Sequence, residues 1–340
     1  MIFIEEAIIS NAILHRVDME NDKLHLSNST FECNDAEQQA TLKKIFLKPF
    51  INNTVTLEFK HEVNLKLNVL FNLAKAVYAE QDFVAASQDM CRHLQAVSKH
   101  PNIKSGDVFI LNIEDVRFNK FHCQALGIFK VESKETFLET EAKKEMQLNY
   151  KQGIGNKRLD KACLILFTEE PYTVFLIDNS SGDADYWKNE FAKLEFKKDD
   201  INNTHQFLNL TKDFVTQQYP ADFEVTKADQ IDLLNRSVEY FKTHETFDKK
   251  EFEQDVLHHK TLIDSFQNFN KSYEQEYNVT LENEFEIAAQ AVKKQQRIFK
   301  SVLKLDKNFH VYIHGNRELI EQGIDADGRK YYKLYFEKES

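Results

Sequence analysis

The sequence predicts an α+β protein with an N-terminal, mostly antiparallel sheet and covering helices, a helical middle, and a small C-terminal antiparallel sheet. Nearly continuous apolar runs joined by short turns fill residues 107–178, apolar residues recur at helical spacing from about 185 to 295, and the last 45 residues alternate between apolar and polar. Because single cores rarely grow past about 250–300 residues, a chain of 340 residues is expected to form two domains, here 1–180 and 181–340.

The N-terminal stretch is predicted to form a hairpin, a helix and a strand. Within residues 7–26, two short apolar stretches flank the polar sequence MENDK, which is typical of a hairpin. Asn34 or Asp35 can cap a helix that runs to about Lys48, where a proline follows. The segment TVTLEF, residues 54–59, predicts another strand.

Two amphipathic helices are predicted next. Apolar residues recur at helical spacing from Leu67 to Tyr78. Asp82 can cap a second helix with its own apolar stripe, and His100-Pro101 ends that helix.

Residues 107–178 are predicted to supply the central strands of the sheet. DVFILNI and CQALGIFKV flank a turn at Asn119-Lys120, and KACLILF and YTVFLID flank a turn at residues 168–171. Strands this apolar are usually covered on both faces, and the two amphipathic helices can cover one of them. Because such strands present few polar groups to a substrate, this region is predicted to be structural and to carry no reaction.

The helical middle contains an apolar seam. A helix is expected up to Tyr219-Pro220, and Thr226 with Asp229 resembles a capping box that opens the next. One long helix over residues 252–277 is then predicted, interrupted by His259 and Asn270 and carrying Phe252, Val256, Ile263, Phe266, Tyr273 and Tyr277 at spacings of four and three. A homodimer through this region is expected, and packing of the seam within the chain is an equal alternative.

The C-terminal strands carry the main candidate binding residues. FHVYIH and two stretches around Asp327-Gly328 predict strands, since Asp-Gly favours a two-residue turn. Cations interleaved with aromatic rings suit phosphate contact and base stacking, although tyrosine and lysine are also common on any exposed sheet face. The candidate DNA contacts of this strand are Arg329, Lys330, Tyr331, Lys333 and Tyr335.

Further candidate cations lie upstream, in residues 291–305. If that segment is helical, four of them share one face: Lys293, Arg297, Lys300 and Lys304. If the chain changes to strand near Arg297, the stripe is broken and its last two lysines lie with apolar neighbours.

The charge distribution points to the same end of the chain. The net charge is -11, but residues 1–290 hold 33 basic against 48 acidic residues, whereas residues 291–340 hold 11 against 7. An acidic chain repels phosphate, so any contact with nucleic acid has to come from a localised basic face.

Several classes of protein and site are not expected. The N-terminus lacks the basic region of a signal peptide, and no apolar run approaches the roughly 20 residues of a membrane helix, so a cytoplasmic location without membrane contact is expected. Four scattered cysteines form no metal-binding pattern, and there is neither a P-loop nor an H-E-x-x-H motif. No metal, cofactor or catalytic residue is therefore predicted.

The order of these parts resembles a known family. A hairpin-like start, paired helices, VFILNIEDVRF (108–118), CQALGIFKV (123–131), DYWKNEFAKLEF (185–196) and the closing FHVYIH...DGRKYYKLYFE are similar to the bacterial 37-kDa nucleoid-associated proteins. The resemblance implies a non-enzymatic protein of the nucleoid. Family members carry a basic L-K-G-R-like stretch, but this chain has Leu194-Glu195-Phe196-Lys197-Lys198-Asp199 without the glycine and arginine, so no DNA contact is transferred to it.

Three functions are left open by these observations. The leading hypothesis is a DNA-associated structural or regulatory protein that binds DNA without sequence preference. The alternative is a scaffold that binds a protein partner through the acidic helical middle or through the apolar seam of residues 252–277 and makes no direct DNA contact. An enzyme of unrecognised type has the least support.

Overall fold

In the computed structural model, the chain divides into two compact units, Met1–Lys197 (unit 1) and Lys198–Ser340 (unit 2). The structure describes residues 2–143, 145–155, 159–179, 186–277, 279–296, 299, 302–313 and 317–338. Among these residues, no helix combines the length and the apolar character that crossing a bilayer requires.

Unit 1 is built around a sheet. Its strands are β1 (Ile2–Phe3), β2 (Ile8–Asp18), β3 (Lys23–His25), β4 (Leu57–Phe59), β5 (Gly106–Phe118), β6 (Phe121–Val131), β7 (Glu135–Ala142), β8 (Met146–Gly153), β9 (Lys161–Leu166), β10 (Thr173–Asp178) and β11 (Leu194–Phe196). Its helices are α1 (Ala36–Leu42), α2 (Val69–Tyr78) and α3 (Phe83–Val97), with shorter 3-10 or π-helical turns at Lys43–Leu47, Lys48–Phe50, Leu65–Leu67 and Trp187–Ala192.

The predicted antiparallel sheet is confirmed. Within the described residues it has nine strands in the order β11-β4-β10-β9-β6-β5-β2-β3, with β1 paired to β5. The predicted hairpins β2–β3, β5–β6 and β9–β10 all form, each as an antiparallel pair. Asp35 and Asp82 accept hydrogen bonds from the backbone at the starts of α1 and α3, as predicted for capping residues.

Both faces of the sheet are covered. Because successive side chains of a strand point to opposite faces, Ile110 and Leu111 belong to different cores. The core on the first face includes residues of α2, α3 and the Trp187–Ala192 turn, as predicted for the two amphipathic helices. The core on the second face includes Phe46, Leu47 and Phe50 from the helical segment that follows α1.

One side chain closes part of the sheet edge at β2. The amide of Gln39 accepts a hydrogen bond from the backbone N–H of Ile9 at 3.1 Å and donates to the carbonyl oxygen of Ile9 at 2.8 Å. The same amide also donates to the carbonyl of Cys33 at 2.7 Å. Both backbone groups of Ile9 are therefore satisfied without a neighbouring strand.

Two lysines are buried inside the sheet, in strands that were expected to present few polar groups. Lys130 on β6 and Lys161 on β9 lie opposite each other in the ladder, and both side chains are fully buried. Lys130 donates to Glu132 at 2.8 Å and to the carbonyl of Lys104 at 2.6 Å, and Lys161 donates to Asp178 at 2.7 Å. Each buried ammonium thus has a carboxylate partner, as burial of charge requires. The absence of a reaction in this region stays a prediction.

Some elements of unit 1 were not predicted. Strands β7 and β8 form a separate two-stranded hairpin, and β11 pairs with β4 at one end of the main sheet. Of the predicted strand 54–59, only Leu57–Phe59 is a strand.

Unit 2 is mainly helical. Its helices are α4 (Asp200–Asp213), α5 (Tyr219–Asp222), α6 (Lys227–Thr243), α7 (Lys249–Phe252), α8 (Lys260–Tyr277) and α9 (Ala289–Gln295), with shorter 3-10 or π-helical turns at Phe214–Gln218, Glu253–Leu257 and Arg317–Leu319. Its strands are β12 (Thr246–Asp248), β13 (Glu284–Glu286), β14 (Val302–Leu305), β15 (Phe309–Tyr312), β16 (Ile320–Ile324) and β17 (Lys330–Leu334). The predicted capping box of Thr226 and Asp229 is present at the start of α6.

The single long helix predicted over residues 252–277 is wrong. The helical path is interrupted at His258, which has a positive φ of 61°, and α8 begins only at Lys260. The chain can therefore turn, and the rings of Phe252 and Phe266 both pack against Phe207, at centroid distances of 5.4 and 6.0 Å. Most of the predicted seam lies in the core of unit 2, so it no longer supports a homodimer, which stays a prediction.

The C-terminal strands form two separate two-stranded sheets within the described residues, whereas a single sheet was expected. Strand β14 pairs with β15, and β16 pairs with β17 across the predicted Asp327-Gly328 turn. Leu303, Ile313 and Ile320 share a small core with Ala228 and Ile231 of α6. Within the described residues, both hairpins therefore pack against the same helix.

We predict that Lys130→Met destabilises unit 1 by about 3–5 kcal/mol, because it removes one partner of a buried ion pair. The double variant Lys130→Met with Glu132→Leu removes both charges and should recover much of that loss. Urea unfolding can be followed by the fluorescence of Trp187, the one tryptophan of the chain, which is buried in unit 1. A double variant as unstable as the single one would contradict the ion-pair explanation.

Candidate nucleic-acid interface

The β16–β17 hairpin carries the main candidate DNA contacts. Arg329 follows the turn, and Lys330 and Lys333 lie on β17 opposite Ile324 and Glu321 of β16. All three cationic side chains are exposed. The hairpin therefore presents three cations to solvent within five consecutive residues.

Two of these cations have acidic partners on the same hairpin. The Nε atom of Arg329 lies 2.5 Å from Asp327, and the Nζ atom of Lys333 lies 3.5 Å from Glu321. Within the described residues, Lys330 forms no ion pair. The local field is therefore weaker than the sequence of cations alone indicates.

Tyr335 joins the Glu321 pair. Its hydroxyl donates to Glu321 at 2.6 Å, and the Lys333 ammonium lies 4.9 Å from the centre of its ring. The hydrogen bond from Tyr335, with the charge of Lys333, lowers the pKa of Glu321 below its usual value. The contacts with Tyr335 and Glu321 raise the pKa of Lys333. Both groups are therefore held in their charged forms.

The aromatic residues differ in their availability for stacking. Tyr331 is half-buried, and its ring lies over Gly323, where an added Cβ would come within 2.3 Å of the ring. Tyr332 is also half-buried, and it packs against the core that includes Ile231 and Ile320. Tyr335 and Phe336 are exposed. Tyr335 and Phe336, at the end of the hairpin, are therefore more available for base stacking than Tyr331 is.

The upstream cations do not form a continuous stripe. Lys293 lies on α9, which ends at Gln295, and Lys304 lies on β14, opposite His310. The helical alternative for residues 291–305 is therefore wrong, because the chain has changed to strand by Val302. Arg297 and Lys300 lie outside the described residues.

Lys293 also borders a cavity of about 520 Å³ in unit 2. Lys242 and His244 contribute to the same lining, but so do Glu245 and Glu286. The mixed charges give this cavity no clear preference for an anion.

A second group of cations, none of them predicted as a DNA contact, lies in unit 1 around β11. Lys60 donates its backbone N–H to the carbonyl of Lys193 at 2.9 Å, and the Lys188 ammonium lies 4.4 Å from the centre of the exposed Phe196 ring. This is the segment in which the glycine and arginine of the L-K-G-R-like stretch are missing. Glu195 pairs with Lys60 at 3.9 Å, so this group is also partly neutralised. Because Lys60 is far in sequence from Lys188 and Lys193, the group leaves no local motif.

One group of described residues has the composition of a cation site. Donor atoms of His244, Glu251 and Asp255 lie within 4.8 Å of one another. Nδ1 of His244 lies 2.9 Å from the carbonyl of Tyr240, and the Tyr240 hydroxyl donates to Glu251 at 2.8 Å. These contacts would orient the imidazole and the carboxylate, but two of the three groups are exposed.

Comparison with known proteins gives one family. The family model NA37, described as nucleoid-associated protein YejK, matches residues 13–329. No curated protein matches the chain. The family match includes most of both compact units.

We predict that Tyr335→Phe raises the pKa of Glu321 toward its usual value, because the variant lacks the hydroxyl that donates to the carboxylate. NMR titration of the side-chain carboxyl carbon measures this shift. Tyr331→Phe is the matched control, since Tyr331 contributes nothing to the lowered pKa of Glu321. Equal titration of Glu321 in the parent and in Tyr335→Phe would contradict the assignment.

Proposed function

The chain belongs to the NA37 family of nucleoid-associated proteins, and from this membership we propose that it binds duplex DNA directly, at the bacterial nucleoid in the cytoplasm. The proposed contact is the β16–β17 hairpin, with Arg329, Lys330 and Lys333 at phosphates and Tyr335 beside them. The observation that carries the proposal is the exposure of these three cations in the basic last 50 residues of an otherwise acidic chain. The role is structural or regulatory, without catalysis.

Binding of this kind has no strong sequence preference. The hairpin offers charge and a stacking ring, whereas direct readout of bases usually needs paired donors and acceptors held at the base edges. The acidic remainder of the chain repels DNA and restricts the orientation in which the two molecules meet. Lys293 and Lys304 are secondary candidates for phosphate contact, because they lie on two different elements, α9 and β14.

The alternative function, a protein scaffold without DNA contact, loses one of its proposed surfaces. Most of the apolar seam of residues 252–277 is buried in the core of unit 2, so a partner cannot dock along it. The acidic exterior of the helical middle is still available to a partner. The scaffold and the DNA-binding protein differ in one measurable property, which is affinity for duplex DNA at low salt.

We predict that the logarithm of DNA affinity falls with the logarithm of salt concentration with a slope of roughly -3 to -5, since about three to five phosphates are contacted.

The double variant Arg329→Glu with Lys333→Glu should abolish most binding, as measured by fluorescence anisotropy on a labelled duplex. Lys23→Glu with Lys99→Glu changes the net charge equally on exposed lysines of unit 1 and should bind almost as the parent does. Equal losses in the two double variants would reject this surface. No binding by the parent at low salt would favour the scaffold.

We also predict that Glu321→Gln binds DNA more tightly than the parent, by about threefold to fivefold at low salt. Removal of the carboxylate leaves Lys333 without its acidic partner, and one unit charge close to a phosphate contributes about 1 kcal/mol in water. Glu318→Gln on the preceding turn makes the same change of net charge outside the β16–β17 pairing. An affinity that rises no more for Glu321→Gln than for this control would show that Lys333 makes no phosphate contact.

A further inference from the structure

The β7–β8 hairpin is separate from the cores of unit 1. It is inserted between β6 and β9, which are neighbours in the main sheet, and it pairs only within itself. No described residue of either strand is buried. Two-stranded hairpins are at best marginally stable in water, whereas three or more strands with an apolar face can be stable.

One face of this hairpin is apolar and exposed. The ladder places Leu138 opposite Tyr150, Thr140 opposite Leu148, and Ala142 opposite Met146, all on the same face. Four of these side chains are more than half exposed: Leu138, Met146, Leu148 and Tyr150. The other face carries the charges, including an ion pair of 2.5 Å between Glu139 and Lys151.

The outer edges of both strands are also open. Residues 133–155 contain no proline, although natural edge strands are commonly protected by proline or charge. The three glutamates of β7 are such protection: Glu135, Glu139 and Glu141. Strand β8 carries a single charge, on Lys151. The unprotected edge is therefore that of β8.

Charge indicates what can pair with this edge. Residues 133–155 hold four lysines and four glutamates, so the segment is neutral in a chain with a net charge of -11. A neutral segment does not attract DNA phosphates, and it is where two copies of an acidic chain can meet with the least repulsion.

Pairing of β8 with itself can keep its apolar side chains on one face. Two identical strands related by a two-fold axis run antiparallel, and an axis that passes through a residue of the strand places side chains of the same face opposite each other. With Asn149 on the axis, Leu148 lies opposite Tyr150 of the partner subunit and Lys151 lies opposite an uncharged Gln147. For β7, a centre at Leu138 or Glu139 sets glutamates opposite each other, which is destabilising.

We propose that a second copy of this chain covers this hairpin by antiparallel pairing of the two β8 edges, centred on Asn149. The product is a four-stranded sheet with one continuous apolar face. A sheet of this size can be stable in water, whereas a lone hairpin is at best marginally stable. The inference concerns assembly alone and holds whether or not the β16–β17 hairpin binds DNA.

Cysteine cross-linking tests the register in the full-length protein. At the axis, the two Cα atoms of residue 149 lie about 4.5–5.5 Å apart, within the range of a disulfide. Asn149→Cys is therefore expected to form a covalent dimer on mild oxidation. In Gln147→Cys the two Cα atoms are roughly 13 Å apart along the strand, and no dimer should form. Among the native cysteines, Cys33, Cys91 and Cys163 are buried and Cys123 is half-buried, so the parent protein oxidised in parallel measures the background. No cross-link in Asn149→Cys, or an equal yield at both positions, would overturn the proposal.

Light scattering at increasing concentration tests the energetics. Leu148→Thr with Tyr150→Thr should weaken dimerisation by about twofold to thirtyfold, because both Leu–Tyr cross-strand pairs are lost. Val63→Thr with Phe121→Thr replaces two apolar side chains that are exposed outside the β7–β8 hairpin and should leave the mass unchanged. A parent protein that stays monomeric throughout the micromolar range would overturn the proposal. It is also overturned if the Leu148/Tyr150 variant keeps its mass and instead loses DNA affinity.

Discussion

Burial of the main sheet on both faces is the constraint on which the rest of unit 1 depends. A strand that is covered on both sides has no solvent-facing row in which to place polar groups, so its apolar residues run almost without interruption. Where β6 and β9 do carry charged residues, at Lys130 and Lys161, the charges have to be satisfied inside the protein. Glu132 and Asp178 do this, and the buried Tyr186 adds a hydroxyl at 3.2 Å from the Lys130 ammonium. The buried charged groups of β6 and β9 therefore lie together at one end of these strands.

The pairing of cations with acidic side chains also limits how strongly the proposed DNA surface can bind. A short hairpin can expose several cations only if they do not repel each other strongly, and here Asp327 and Glu321 reduce that repulsion for Arg329 and Lys333. A DNA phosphate has to compete with these carboxylates for the two cations. This competition reduces the net free energy of binding. If the hairpin binds DNA as proposed, these acidic partners make the interaction weak and salt-sensitive.

Local signals were enough to predict much of the fold. Asp35, Asp82 and Thr226 are caps that act within one helical turn, and the β5–β6 and β9–β10 hairpins are joined by short turns between apolar runs. What could not be predicted depends on distant partners. Periodicity continued through His258, but the helix does not, because the apolar residues on either side meet around Phe207, a partner far away in sequence. The β7–β8 hairpin was missed since Thr and Glu interrupt its apolar residues. For the candidate site, the sequence identified the cations of β17 but not Glu321, which lies on the preceding strand.

The amide of Gln39 has a consequence for how copies of this chain can associate. Sheets grow by adding strands at free backbone edges, and a molecule with two such edges can form an open chain of any length. Gln39 occupies both backbone groups of Ile9, so the main sheet offers no donor and acceptor pair at that point. A strand from another copy therefore finds no free backbone pair at Ile9, on the part of β2 that β3 does not cover. A single uncharged side chain thus protects part of this edge against strand addition.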